Sequence, residues 1–432
     1  MRKNIRFAIL FTVLTLVLGV SIGAASAQDP VVIDWWHIST SDHGQAYWQG
    51  LADQYTAMHP NVTFNITVLD NADFKPKLAT VMQSGTDIPD IFQSWGGAVL
   101  WTFAKNGLVR NIAPELTADN NAWKDTFSAQ AALELYGQNG EYYGVPRTWG
   151  LVGLFYNKQL FEQAGITELP TTWTEFLATV QTLKDAGITP ISLGEGETWT
   201  GHFWWVYLAT RIGGQAGFLA AYDRSGSFAD PPFVEAGARL KELVDMEPFP
   251  NGFLAMGHND SEGYFGDGKA AMILMGQWAP NAQAQYSATG EGIGLENLGL
   301  FPFPMVEGGA GNPNDAFGGG DGWAFGKDAP DEAVDFVKWT LTAENQLAGA
   351  PVDVEGIVPV VKGTESAFAN DPLFQSIVDQ RDNAPYFQLY YDQFLPPALA
   401  GTVNDAVQGI FAETLTPEAA AQMIEDEAGL DL

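Results

Sequence analysis

The chain has 432 residues, and 52 acidic side chains against 20 basic ones give it a formal charge of -32. A field of this sign repels phosphate backbones and anionic lipid, so no nucleic acid or acidic membrane surface is expected as a partner. The sequence contains no cysteine, which excludes disulfides, thiolate metal sites and cysteine nucleophiles. This length, with 46% hydrophobic residues, predicts two lobes rather than one core.

The first residues have the pattern of a secretory signal peptide. Three basic side chains within the first six residues precede an uncharged apolar run that reaches about Val20, and the small residues 25–27 supply a cleavage site. We therefore predict a signal peptide over residues 1–27 and an exported protein, periplasmic or extracellular, with no lipid-attachment cysteine. An uncleaved anchor is the alternative, because the apolar run approaches the length that spans a bilayer.

The first part of the mature chain alternates strands with helices. Strands are predicted over 31–37, over 62–68 and from Pro89 to about Trp95, and helices over 43–59, capped by Asp42, and over 75–84, ending at Gly85. This alternation indicates parallel sheets in an α/β fold. Ligands bind beyond the carboxyl ends of such strands, and Trp36, His37, Ser94 and Trp95 lie at two of those ends.

A distinctive segment follows at 144–173. It predicts a strand over 151–156 and a helix from about Lys158 to Gly165. A second helix is predicted to begin at Thr172, because Glu175 lies three residues later, as in a capping box.

The second half repeats the alternation. Strands are predicted over 190–193, 269–275 and 323–325, and helices over 232–246 and 331–347. Each strand is followed or preceded by a loop rich in Gly or Trp, and 312–322 is rich in glycine. These loops are further candidates for a ligand site.

Five motifs in this order resemble the family 1 extracellular solute-binding proteins, the sugar-binding subunits of ABC importers that include maltose-binding protein. The motifs are SGTDIPDIFQSW, GVPRTWGLVGLFYNKQLFEQAGI, PTTWTEF, FGDGKAAMILMGQW and AFGGGDGWAF. The resemblance implies an α/β two-lobe periplasmic binding protein fold, type II-like, with a hinge of several segments. Lobe one would comprise 31–147 plus 305–342, and lobe two 148–304 plus 343–432.

The resemblance also implies where a sugar would bind. Sugar rings need aromatic faces for stacking and polar groups around their edges. The implied ligand contacts are Trp36, His37, Ser94, Trp95, Trp149, Glu197, Trp199, Trp278, Gly320, Asp321 and Asp392. Trp278 is the strongest candidate, because a Gly–Gln turn after an apolar strand would lift its ring into the cleft. Core packing is the alternative for each tryptophan, and Trp95, Trp149 and Arg147 could instead belong to the hinge.

We expect a monomer that carries a mono- or oligosaccharide to ABC permease subunits, with no catalysis, no cofactor and no metal. Two alternatives stay open. A secreted glycoside hydrolase would need two opposed carboxyl groups, which any acidic chain could supply. A binding protein for a polyamine would need several inward carboxylates among its aromatic side chains.

Overall fold

The structure is a computed structural model that describes residues 29–350 and 356–432. The predicted signal peptide lies outside these residues. In the part of the chain that is described, no helix has the length and apolar character needed to cross a membrane.

Thirteen strands and seventeen α-helices are found in the described ranges. The strands are β1 (Val31–His37), β2 (Val62–Val68), β3 (Ile91–Ser94), β4 (Gly137–Gln138), β5 (Glu141–Tyr142), β6 (Gly144–Pro146), β7 (Gly150–Asn157), β8 (Thr189–Ser192), β9 (Ala270–Gly276), β10 (Leu298–Phe301), β11 (Ala316–Gly319), β12 (Gly322–Phe325) and β13 (Phe387–Leu389). The helices are α1 (Asp42–Met58), α2 (Asn71–Ser84), α3 (Gly97–Lys105), α4 (Ala113–Asn121), α5 (Gln130–Glu134), α6 (Lys158–Gln163), α7 (Trp173–Asp185), α8 (Trp199–Tyr222), α9 (Pro231–Val244), α10 (His258–Gly266), α11 (Ala279–Gln285), α12 (Asp331–Thr340), α13 (Ala343–Gly349), α14 (Pro372–Asp382), α15 (Tyr391–Phe394), α16 (Pro397–Phe411) and α17 (Pro417–Asp431).

The predicted capping box at the start of α7 is confirmed. Thr172 Oγ1 accepts a hydrogen bond from Glu175 N at 3.3 Å, and Glu175 Oε2 accepts one from Thr172 N at 3.1 Å. Two free donors at the start of the helix are thereby satisfied by local side chains.

Two other local predictions were wrong. Asp42 does not cap α1, because Ser41 is the residue with extended backbone and its Oγ accepts from Gly44 N at 2.8 Å. The single helix predicted over 331–347 is two helices. Thr342 has extended backbone with φ -69° and ψ 153°, and its hydroxyl caps α13 by accepting from Asn345 N.

The first sheet has the strand order β2-β1-β3-β12-β6. β1 is parallel to β2 and β3, whereas β12 is antiparallel to β3 and β6. The second sheet has the order β13-β11-β7-β9-β8, with β10 paired to β7, and β7 is antiparallel to all of its neighbours. Both sheets are therefore mixed, and the prediction of parallel sheets holds only in part. The antiparallel pairs involve β6, β7, β11 and β12, the strands on either side of the two direct crossings between sheets.

The crossing segments are tied to one another by hydrogen bonds. Arg147 N and Thr148 N both donate to Asp321 O, at 2.7 and 3.1 Å. Val358 N donates to Thr148 Oγ1 at 2.8 Å, which brings a third segment to the same place. The chain changes sheet between β11 and β12, so β11 lies in the second sheet although the predicted lobe one included it.

Each sheet carries its own hydrophobic cluster. The first contains Trp35, Trp48 and Trp323. The second contains Trp204 and Trp205, which are 0% and 1% exposed. Two separate cores on two sheets, joined by three short segments, leave a cleft between them.

Candidate ligand-binding cleft

The cleft lies between the two sheets and encloses about 830 Å³, part of which is open to solvent. One wall is formed by the loops after β1 and β3 and by the start of α2. The other is formed by the starts of α8 and α10, by α11 and by the segment around α15. Of the predicted contacts, Trp95, Trp199, Trp278, Asp321 and Asp392 line this space.

Trp199 and Trp278 form an aromatic corner on the second wall. Their ring centroids are 6.3 Å apart with planes at 61°, and the His258 ring lies 4.7 Å from Trp199. Trp278 can pack closely against β9 because residue 276 is glycine: a Cβ there would come within 2.1 Å of the indole. The glycine in the Gly–Gln–Trp turn thus sets the position of the ring.

The Glu197 carboxylate stabilises this corner through two hydrogen bonds. Its Oε2 accepts from Trp199 Nε1 at 3.1 Å, and its Oε1 accepts from His258 N at 3.1 Å. Glu197 was predicted to contact the ligand, and the structure gives its carboxylate two protein donors. These bonds fix the position of the Trp199 ring, and a ligand contact of Glu197 stays a prediction.

Trp95 stands on the opposite wall, directly after β3. Lys75 of α2 places its Nζ 4.9 Å from the centroid of Trp95 and 5.8 Å from that of Trp199. An ammonium group therefore lies between aromatic rings of the two walls, an arrangement that cation–π attraction stabilises. Nothing in the local sequence around Lys75 distinguishes it from the neighbouring Lys77.

A second contact joins the two walls at the rim. Thr40 Oγ1 and Tyr286 Oη are 3.3 Å apart and share a hydrogen bond. Burial raises the pKa of Tyr286, so its hydroxyl stays protonated at neutral pH. A hydrogen bond thus connects the two walls on this side of the cleft.

Four carboxyl groups line the cleft, three of them close to an Arg or His side chain and one as a helix cap. Asp321 Oδ2 lies 3.6 Å from Arg147 Nη2, and Asp392 Oδ1 lies 3.7 Å from His202 Nε2. Burial lowers the pKa of His202, so this imidazole is neutral at pH 7. Asp70 caps α2 by accepting from Asp73 N at 2.8 Å.

Glu262 is the fourth carboxyl group, and it is fully buried. Its Oε1 lies 3.4 Å from His258 Nε2. Although burial opposes it, the Glu262 carboxylate raises the pKa of His258 above its usual value. The neighbouring carboxylate therefore favours the protonated form of the His258 imidazole.

Two buried polar atoms in residues that line the cleft lack a hydrogen-bond partner. Trp278 Nε1 and Tyr390 Oη have no hydrogen-bond partner among the described residues. Buried donors and acceptors are normally satisfied, so such atoms are typical of a place where a polar ligand binds.

In the described ranges no cluster of three or more His, Asp or Glu side chains is arranged to hold a metal ion.

The other predicted contacts lie outside the cleft wall. His37 is 1% exposed, and its Nδ1 accepts from Ser39 N at 3.2 Å. The Trp36 side chain lies on the face of β1 opposite to that of His37, and Lys77 Nζ lies 4.5 Å from its ring centroid. Ile38 and Thr40, which follow β1 in the chain, line the cleft instead.

Trp149 and Gly320 belong to the hinge side. The Trp149 ring stacks on Phe387 at 4.8 Å, and it is 6% exposed. A Cβ at Gly320 would come within 2.1 Å of Thr148 O, so this glycine permits the close approach of two crossing segments. Ser94 accepts from Gly96 N at 3.1 Å and lines a neighbouring chamber. Ligand contacts at these positions stay predictions.

Sequence reasoning missed several lining residues, among them Phe203, His258, Glu262, Tyr286 and Tyr390. Phe203 lies four residues after Trp199 on α8, and Glu262 lies four residues after His258 on α10. That spacing puts each pair on one helix face and was the available signal. Tyr286 carried the same signal, because Trp278, Ala282 and Tyr286 follow one another at intervals of four residues along α11. For Tyr390 no such local pattern exists.

Residues 39–347 match the family described as bacterial extracellular solute-binding proteins. This chain belongs to that family. The multiple sugar-binding protein of Streptococcus mutans is 27% identical over 371 residues, which is 81% of each chain. Similar proteins with solved structures have the same fold. A chitin oligosaccharide binding protein is 27% identical with a TM-score of 0.83, and the match covers 94% of this chain and 99% of that one. A structure from work on xylan utilization by the thermophilic bacterium Caldanaerobius polysaccharolyticus is 26% identical, also at 0.83, over 92% and 99%.

Proposed function

We propose that this solute-binding protein is the extracytoplasmic carbohydrate-binding subunit of an ABC importer. It captures a mono- or oligosaccharide between its lobes and delivers it to the permease. The observation that carries the proposal is the meeting of tryptophans from both walls in one cleft edged by carboxylates. The printed names of the Streptococcus mutans relative and of the chitin oligosaccharide binding protein also support a sugar.

The sugar stacks on Trp278 and Trp199 of one wall and on Trp95 of the other. Its hydroxyl groups donate to Asp321 and Asp392, and further bonds come from the cleft atoms that lack a protein partner. A ligand that contacts both walls favours the closed form over the open one, because only the closed form offers both sets of contacts. Glu197 contributes through Trp199, and the hinge positions contribute through closure.

No chemical step takes place on this chain in the proposed function. The protein crosses the cytoplasmic membrane and, as a monomer, docks in its closed form on a permease that ATP-hydrolysing subunits drive. A glycoside hydrolase is the enzyme alternative. Incubation with labelled oligosaccharides separates the two: turnover beyond one equivalent would contradict a role in binding alone.

A thermal-shift panel tests the ligand class. Neutral mono- and oligosaccharides are compared with spermidine, putrescine and amino acids at equal concentrations. A ligand that binds only the native state raises the melting temperature, so at least one neutral sugar should do so. A shift with a polyamine and with no sugar would overturn the proposal.

A further inference from the structure

A second space adjoins the cleft beside Trp95, and we call it the side chamber. It encloses about 870 Å³, part of which is open to solvent. Lys75, Trp95, Asp392 and Gln393 line both spaces, so the chamber and the cleft are continuous. A molecule that is bound in the cleft can therefore extend into the chamber.

Three helices line the chamber, α2 and α3 from the first wall and α16 from the second. α3 contributes Val99 and Phe103, four residues apart, and α16 contributes Pro397 and Gly401, also four residues apart. That spacing places each pair on one helix face. Val99 and Phe103 are half-buried, and Pro397 and Gly401 are exposed, so an occupant of the chamber reaches all four.

Few polar side chains are available to such an occupant. Besides the residues shared with the cleft, the polar residues of the lining are Gln93, Ser94 and Asn404. Gln93 is 0% exposed, and Ser94 is 7% exposed with its Oγ accepting from Gly96 N. Within the described residues this leaves Asn404. A sugar ring buried there would leave most of its hydroxyl groups without partners, which costs free energy, whereas burial of an apolar group is favourable.

The chamber lies where the two walls already pack on each other. Trp101 of α3 lies edge-on to Phe394 of α15, with ring centroids 6.2 Å apart and planes at 75°. Gly97 opens α3 with φ +65°, and a Cβ there would clash with Gln393 O. An apolar group in the chamber extends this apolar contact between the walls. It therefore favours the closed form, as a ligand of the main cleft does.

We propose that the side chamber binds the apolar aglycone of a glycoside whose sugar ring stands in the main cleft. The inference rests on the proposed function and names the substrate class of that site, a sugar linked to an aryl group rather than to a further sugar. Lys75 and Asp392, which line both spaces, bind hydroxyl groups of the ring next to the glycosidic bond. Val99, Phe103 and Pro397 pack on the aglycone.

The test uses matched pairs of glycosides that differ only in the aglycone. The pairs are the methyl and phenyl β-glycosides of glucose, of galactose and of xylose. Calorimetry on the full chain should give, in at least one pair, about tenfold tighter binding of the phenyl glycoside, as burial of part of a phenyl ring provides. Equal affinities within every pair that binds would overturn the inference and leave the proposed function standing. Absence of binding by all of these glycosides would also overturn it, while the thermal-shift panel decides the proposed function separately.

Gly401 supplies the variant that fills the chamber. No described atom lies within 4 Å of a Cβ placed at Gly401, so a side chain there enters open space. Gly401→Phe should reduce the preference for the phenyl glycoside to less than about twofold, and Gly401→Ala, the size control, should keep it. An unchanged preference in Gly401→Phe would overturn the inference, as would an equal loss of affinity for both members of the pair.

Cellobiose and cellotriose give the arm for a sugar in the chamber. If the chamber takes an aglycone, the third glucose unit should change the affinity by less than about twofold. A gain from the third unit that Gly401→Phe removes, in place of a gain from the phenyl group, would show a further sugar subsite and overturn the inference.

Discussion

Thr40 Oγ1 lies 3.3 Å from Tyr286 Oη, and this hydrogen bond connects the loop after β1 to the end of α11 across the rim of the cleft. The two residues belong to opposite walls of the cleft and are 246 positions apart in the chain. If the lobes move apart in the proposed function, this bond is lost, so it is expected to stabilise the closed form and not the open one. In the proposed function it is one of the contacts that hold the ligand in.

Removal of this bond should weaken ligand binding without unfolding the protein. Tyr286→Phe is expected to reduce sugar affinity about threefold to tenfold, which corresponds to one hydrogen bond of about 0.5–1.5 kcal/mol. Most of the change should appear as faster dissociation in stopped-flow measurements. Tyr222→Phe removes a hydroxyl outside the cleft and is the control. Identical dissociation rates for the two variants would show that the bond does not stabilise the closed form.

Trp278 should be the largest single contributor to affinity. Trp278→Ala removes the ring from the aromatic corner and should weaken sugar binding roughly tenfold to hundredfold, since burial of a large side chain is worth about 1.5–3 kcal/mol. Calorimetry measures the loss, and circular dichroism checks the fold. Trp339→Ala, at a partly buried tryptophan on α12 away from the cleft, should leave affinity unchanged. If both variants bind as the wild type does, Trp278 does not contact the ligand.

Lys75 and Lys77 form a matched pair on α2. Each places its Nζ near a tryptophan ring, Lys75 inside the cleft and Lys77 over Trp36 outside it. Lys75→Met should lower sugar affinity about tenfold, because it deletes a charged donor to the sugar hydroxyls, each such bond being worth about 1.5–3 kcal/mol. Lys77→Met makes the same change in net charge and should have little effect. Tighter binding by Lys75→Met would mean that the ammonium competes with the sugar for the aromatic rings.

His37 makes the stability of the protein depend on pH. Burial and the nearby Arg147 guanidinium lower the pKa of His37 to about 3, below its ordinary value of about 6.5. At a pH between these two pKa values, His37 binds a proton in the unfolded chain and stays neutral in the folded chain. The free energy of unfolding therefore falls as the pH drops below about 6.5, by about 1.4 kcal/mol per pH unit from this group.

The test compares urea denaturation of the wild type and of His37→Gln at pH 7 and pH 5. The variant should lose about 2 kcal/mol less stability over this range than the wild type does. His43→Gln, in the exposed first turn of α1, should behave like the wild type. Equal losses for His37→Gln and the wild type would contradict the assignment of a buried neutral imidazole.

The elements that the sequence predicted well carry local signals. The strand β1, the turn at Gly165 and the capping box of α7 follow from apolar runs, from a glycine with φ +75° and from two side chains three residues apart. The existence of two α/β lobes follows from the motif order. These features depend on residues that are neighbours in the chain.

The features that were missed depend on residues far apart in the chain. The strand β11 lies in a glycine-rich stretch and exists because β7 and β13 pair with it. Trp36 lies within β1 and Ile38 directly follows it, and nothing in the neighbouring residues indicates that Ile38 lines the cleft and Trp36 does not. The ammonium of Lys75 between two tryptophans likewise has no signature in the neighbouring sequence.

The central claim is that a sugar closes the cleft, and a distance across the rim tests it most directly. The chain contains no cysteine, so two introduced cysteines can carry spin labels at unique positions. His43 and Glu291 line one groove at the rim from opposite walls, and both are exposed. Double electron–electron resonance on His43→Cys/Glu291→Cys should show a broad distribution of distances that shortens and narrows as a bound sugar saturates the protein. A distribution unchanged by a sugar that calorimetry shows to be bound would contradict the account.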